Sequence, residues 1–183
     1  MNSRLRGFLI CAAIPALILI SMTVVPLLTL AMGQEIRIKT LPVDPRDVFR
    51  GDYVVLNYAI NELPMDRVPE VFRDEEQWQK QRQVPLYVVL KAAGEYYEAD
   101  YATFQRPASA VYLKGHFEWV TWGPVNVEFK GSEATGIRVT YNLDQYFVPE
   151  NTGRSLEELS RQGELDAVIK VWNGYAMLER IEP

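Results

Sequence analysis

The rhythm of hydrophobic and polar positions changes once along this chain, near residue 33. From Phe8 to Met32, FLICAAIPALILISMTVVPLLTLAM, there are 25 residues and no charge. As a helix rising about 1.5 Å per residue, this run reaches roughly 37 Å, more than the ~30 Å hydrocarbon core of a bilayer. Pro15 and Pro26 each remove a backbone donor and bend such a helix. Ser21 and Thr23 can return their hydroxyls to helix carbonyls. The run predicts a transmembrane anchor over 8–32, after a cytoplasmic N-terminus of residues 1–7. A cleaved signal peptide is the competing reading, with Ala31 and Gly33 as a small-x-small site. A signal core, however, is typically only about 7–15 apolar residues long.

Beyond Gly33 the period drops to two. Gln34 to Thr40 alternates Ile36 and Ile38 with charged partners and predicts a strand. Pro42, Pro45 and Gly51 mark a loop over 41–52. Tyr53 to Ile60 predicts a strand with Val54, Leu56, Tyr58 and Ile60 on one face. Glu70 to Arg82 predicts a surface helix pinned by Val71, Phe72 and Trp78 and ended before Pro85. Leu86–Ala92 and Glu95–Phe104 predict a hairpin about Gly94. Ser109–Val120 gives the clearest strand, with Val111, Leu113, Phe117 and Trp119 on one face and Gly115 as a candidate bulge. Val125–Phe129 and Gly136–Asn142 predict two more strands. Ser155–Gln162 predicts a second short helix, with Ser155 and Glu158 at capping-box spacing. Ala167–Trp172 and Tyr175–Glu182 flank Asn173-Gly174, the favoured pair for a two-residue hairpin turn. The expected fold is mainly β: an N-terminal transmembrane helix, then one β-rich domain over 34–183 with about eight strands and two short helices. The strand spacing fits either a barrel or a sandwich.

Charge narrows the function classes. All 24 acidic residues follow the apolar run, as do 17 of the 19 lysines and arginines, so that region carries a net charge of −7. No basic cluster suits nucleic acid, and docking of the domain onto anionic lipid is disfavoured. Arg4 and Arg6 precede the apolar run with no acid beside them. The positive-inside rule then puts the N-terminus in the cytoplasm and the domain outside it, in the periplasm or the extracellular space. Glu35 offsets Arg37 and Lys39 on the other side. The lone cysteine, Cys11, lies inside the apolar run and reads as a lipid-facing hydrophobe, so the outer domain has no disulfide framework.

Residues 51–58, Gly51-Asp52-Tyr53-Val54-Val55-Leu56-Asn57-Tyr58, fit the pattern G-D-Y-x-x-L-x-Y throughout. With the surrounding LPVDPRDVFRGDYVVLNY and the later DQYFVPE, the chain resembles the GDYXXLXY family of membrane-anchored prokaryotic proteins. The resemblance implies an anchor followed by about 150 residues of domain, and no established activity. Read physically, Gly51 permits a positive φ at the turn into the strand, and Asp52 can accept backbone N–H bonds there. Gly51, Asp52, Tyr53, Leu56 and Tyr58 then form a structural motif that sets strand register. The alternative is a functional surface of Asp47, Arg50, Asp52 and Tyr53, joined by Trp122 beside the Gly123-Pro124 turn.

Catalytic chemistry finds little footing. Type I signal peptidases are also anchored and β-rich, and Ser21-Met22-Thr23 and Arg50-Gly51-Asp52 look superficially similar to their motifs. Ser21, however, falls mid-membrane, no proline follows where that box needs one, and no serine lies between Ser21 and Ser109. A Ser/Lys pair must meet in space, and Lys91 has no evident nucleophile. His116 is the only histidine, too little for a zinc site. Glu75-Glu76 and Glu157-Glu158 are adjacent pairs that point to different helix faces. No cofactor or metal is expected. Aromatics from Tyr96 to Phe147 suit cross-strand packing or the stacking of a ligand. The expected function is therefore a non-enzymatic accessory subunit that binds a multi-span membrane protein or an extracytoplasmic ligand. A glycan- or peptide-binding module is the second reading, and a cryptic hydrolase the third.

Overall fold

The computed structural model describes residues 3–41, 53–55, 57–123, 134–143, 145–147 and 165–182, with side chains over 11–41, 57–123, 134–143 and 165–182. Helix α1 runs from Ser3 to Met32, starting ahead of the apolar run and containing Pro15 and Pro26. Its stretch Cys11–Met32 is long and apolar enough to cross a membrane. The polar side chains in it are satisfied internally: Ser21 Oγ donates to the Ile18 carbonyl at 2.7 Å, and Thr23 Oγ1 to that of Ile20 at 2.8 Å.

Strands follow in chain order: β1 (Gln34–Leu41), β2 (Tyr53–Val55), β3 (Asn57–Tyr58), β4 (Glu62–Pro64), β5 (Pro85–Ala93), β6 (Tyr96–Thr103), β7 (Tyr112–Trp122), β8 (Ala134–Thr140), β9 (Gln145–Phe147), β10 (Asp166–Trp172) and β11 (Tyr175–Glu182). One sheet has the order β11-β10-β1-β3, a second β4-β8-β7-β5-β6, and β2 with β9 forms a ribbon. Every pairing among the described residues is antiparallel. The two larger sheets curl towards each other into a nearly closed barrel. On one side β6 approaches β1 and β10, where Gln34 Nε2 donates to the Tyr97 hydroxyl and the Tyr96 hydroxyl to Asp166 Oδ2 at 2.6 Å. On the other, the Lys114 amide of β7 donates to the Gly174 carbonyl at 2.8 Å. The mainly-β architecture is thus as the alternation predicts, with the barrel form favoured over a sandwich.

Burying alternate residues of both sheets yields one core. Ile36 and Ile38 of β1 meet Leu86 and Val88 of β5, Leu113 and Phe117 of β7, Ile137 and Val139 of β8 and Ile169 of β10. The terminal hairpin turns at Asn173 (φ 53°) and Gly174 (φ 82°), the two positive φ values that a type I′ turn requires.

Three local expectations change. The run 53–60 is not one strand: β3 stops at Tyr58, and Ala59–Asn61 forms a 3-10 turn. Asn61 drives this, its Oδ1 accepting the Tyr58 amide at 2.8 Å while its Nδ2 donates to the Val139 carbonyl at 2.9 Å. The predicted helix 70–82 is instead two 3-10 turns, Glu70–Arg73 and Glu75–Gln77, and a short helix α2, Trp78–Gln81. Asp74 interrupts it by capping the Glu76 amide with its carboxylate. In β7 the bulge lies between Phe117 and Trp119, not at Gly115. It turns Trp119 outward and Val120 into the core. Gly115 stays in register because the neighbouring strand is too close for a side chain: a Cβ would meet Val139 Cγ1 at 2.6 Å and the Thr140 carbonyl oxygen at 2.7 Å. The strand expected at 125–129 and the helix at 155–162 lie outside the described residues.

Candidate functional site

The chain passes from helix to barrel through a single residue. α1 ends at Met32, β1 begins at Gln34, and Gly33 alone lies between them. The Gly33 amide donates to the Thr29 carbonyl at 2.9 Å. A Cβ on Gly33 would collide with that oxygen and reach 3.2 Å from Lys170 Cβ. Thr29 is fully buried at this junction, its hydroxyl donating to the Val25 carbonyl. Lys170 of β10 extends its Nζ to the Leu30 carbonyl at 3.2 Å, placing a cation on the carbonyl end of the helix, where the helix dipole favours it. The last turn of α1 is therefore capped by the barrel itself.

An ion-pair belt continues from this cap across β10, β11 and β1. Lys170 pairs with Glu179 at 3.1 Å, Arg180 with Glu35 at 2.8 Å and with Glu182 at 2.6 Å, and Arg37 with Glu182 at 3.0 Å. The Arg180 hydrogen bond holds the Glu182 carboxyl below the usual carboxylate range, with the charges of Arg180 and Arg37 adding to it. The Glu182 and Glu35 carboxylates raise Arg180 in turn. Nearby, donation to Asp166 raises the Tyr96 hydroxyl. Single exposed pairs contribute little; their joint effect here is to tie the first strand to the last two.

Two clefts flank the Asn173-Gly174 turn. One, of about 520 Å³, is bounded by Met32 and Gln34 at the helix exit, by the loop from Arg106 to Val111, and by Trp172 and Asn173. Arg106 is held in place there: its Nε donates to the Tyr112 hydroxyl at 2.7 Å and its Nη2 to Asn173 Oδ1 at 3.1 Å. The other, of about 590 Å³, lies between β7, β8 and the start of β11, with His116, Lys114 and Asn142 on its walls.

The motif strand has a defined partner. β2 pairs with β9 in the register Tyr53↔Phe147, Val54↔Tyr146 and Val55↔Gln145. Residues 53–55 of GDYVVLNY and 145–147 of DQYFVPE, far apart in sequence, thereby form one ribbon. Tyr58 is fully buried and donates its hydroxyl to the Leu143 carbonyl at 2.7 Å, just ahead of β9. From Asn57 a polar chain leads outward. Arg138 Nη2 donates to Asn57 Oδ1 at 2.7 Å, its side chain approaches Glu62 and Glu118, and its guanidinium stacks 5.2 Å over the exposed Trp119 ring.

Of the sequence-derived site residues, Asp47, Arg50, Gly51, Asp52 and Leu56 lie outside the described residues. Tyr53 is placed in β2 by its backbone. Trp122 is 48% exposed, its ring 5.9 Å from Trp78 in an edge-on pair. Sequence reasoning missed Trp119, which alternation turned inward. It also missed Arg138 and Arg106, whose neighbours come from other strands. For Arg106 a faint signal existed, a lone cation ahead of the uncharged loop Pro107-Ala108-Ser109-Ala110-Val111.

Among known proteins, the family model described as GDYXXLXY protein matches residues 15–181. No curated protein and no solved structure matches. The matched stretch takes in the second half of α1, the barrel strands and both halves of the motif ribbon, and the chain belongs to the GDYXXLXY family.

Proposed function

We propose that this protein is a single-pass membrane accessory subunit without catalytic activity of its own. In this reading α1 is a retained anchor with its N-terminus in the cytoplasm, and the barrel lies outside, in the periplasm or the extracellular space. The anchor engages a multi-span membrane protein, and the barrel is held against that partner's outer surface. The carrying observation is the junction: one residue between helix and strand, with Lys170 capping the helix end. A tethered binding module that samples space needs a flexible linker; a subunit that must present one face to a membrane-embedded partner needs a stiff one. From Cys11 to Met32 the side chains of α1 lie almost wholly outside the barrel core, leaving the helix surface for lipid and other helices.

Cross-linking in native membranes, followed by mild solubilisation and identification of what co-purifies, tests this. A stoichiometric multi-span protein is expected, and it should be lost when residues 8–32 are replaced by an unrelated anchor. Absence of any such partner would overturn the reading.

The exposed pair Trp119 and Trp122 on β7 favours a second reading, a glycan- or peptide-binding surface. Its signature would be saturable quenching of tryptophan emission by soluble glycans or peptides, abolished in Trp119→Ala; an unchanged emission spectrum across such a panel would exclude it.

A further inference from the structure

The geometry points to a phospholipid-binding cleft at the helix exit, in which Arg106 holds the phosphate of a lipid headgroup. The inference rests on the anchor reading above and adds a ligand to it. The apolar run Phe8–Met32 has 25 residues. It reaches about 37 Å, enough to cross a hydrocarbon core of about 30 Å with some tilt. Met32 then lies at the edge of the core, and whatever adjoins it lies in the headgroup layer. The cleft adjoins it directly, being lined by both Met32 and Gln34. The one-residue junction keeps it there, since the barrel has no slack with which to lift away.

Charge supports the same occupant. The region beyond the apolar run carries 24 acidic residues against 17 basic ones, yet among the described residues no carboxylate lines this cleft and Arg106 does. Arg106 has no ion-pair partner among the described residues. Its two bonds go to neutral acceptors, the Tyr112 hydroxyl and the Asn173 carboxamide. A guanidinium carries five N–H donors in a planar fork suited to phosphate oxygens. Two are used to aim the group, and the others keep their donor capacity. Trp172, which also lines the cleft, belongs to the residue type that favours the headgroup level. The loop 107–111 offers only proline, small residues and valine, so acyl chains meet no charge beside Met32. Because the barrel as a whole is acidic, the fit is to a phosphate held singly by Arg106, not to a broad anionic surface.

The test uses the full chain in a Cys11→Ser background, with a fluorophore on Ala108→Cys, reconstituted into phosphatidylcholine vesicles. Flotation with the vesicles comes first: a chain that does not float overturns both the anchor reading and this inference. For a chain that floats, headgroup-spin-labelled lipid should quench the fluorophore several-fold more strongly than lipid labelled deep in the acyl chain. Native mass spectrometry should show bound phospholipid on the wild type, reduced at least several-fold in Arg106→Gln. Ala108→Glu should reduce it likewise, placing a negative charge in the cleft while leaving the bonds of Arg106 intact. Flotation with no headgroup quenching, or with equal lipid retention in all three chains, overturns the inference and leaves the anchor standing. Displacement of the lipid by millimolar inorganic phosphate would also overturn it, marking a soluble-anion site instead.

Discussion

Gly115 and Tyr58 both sit in close packing within the barrel, and each makes a sharp test. A methyl at Gly115 would press on the side chain of Val139 and on the backbone of Thr140, which has no room to move without disturbing β8. Gly115→Ala should therefore lose about 1–3 kcal/mol, as overpacked core sites do. Denaturant unfolding of the full chain in mild detergent measures it, and an unchanged midpoint would show that β7 and β8 are further apart than described. Tyr58→Phe removes the hydroxyl that donates to the Leu143 carbonyl. Losing one buried hydrogen bond should cost about 1 kcal/mol or somewhat more. A variant as stable as wild type would mean that this last tyrosine of the motif is kept for something other than the hold of β3 on the segment before β9.

Among the elements, the ion belt on β1, β10 and β11 makes stability depend on acid. Arg180 and Arg37 hold the Glu182 carboxyl below its ordinary range, so the folded state binds its proton less readily than the unfolded chain. The contribution of Glu182 is complete above the usual carboxylate range and is lost as pH falls through the lowered folded value. Glu182→Gln should unfold earlier than wild type at neutral pH and converge with it in strong acid. Melting curves taken across that range decide the matter, parallel curves at all pH values being the contrary result. At the junction, a four-residue Gly-Ser insertion after Gly33 should release the Lys170 cap and raise protease cutting there several-fold. Equal cutting in both chains would mean that the cap does not hold the barrel to the helix.

At the scale of the whole molecule, alternation was enough to read β1, β5, β8 and the terminal hairpin. The period-two pattern of Ile36 and Ile38, or of Ile137 and Val139, survives intact in the barrel. It failed where a side chain competes with the ladder. Asn61 ends the motif strand and Asp74 breaks the surface helix by capping nearby amides. It failed again at the bulge before Trp119, which inverts the faces of β7 and moves a tryptophan from the expected core to the surface. The motif's partner segment could be named from the resemblance, but its pairing with β2 is a long-range fact that no local pattern encodes. The Arg106 cleft is assembled from a loop, a hairpin turn and a helix end, and it became visible only once those three were brought together.

Everything functional in this account depends on α1 remaining attached to the barrel. The direct measurement is the intact mass of the protein purified from its native membranes, together with its partition after alkaline extraction. The expected result is a chain that retains residues 8–32 and stays with the membrane pellet. A shorter chain that begins near Gly33 and is released into the soluble fraction would contradict the account, making α1 a signal sequence and leaving the barrel free of the membrane.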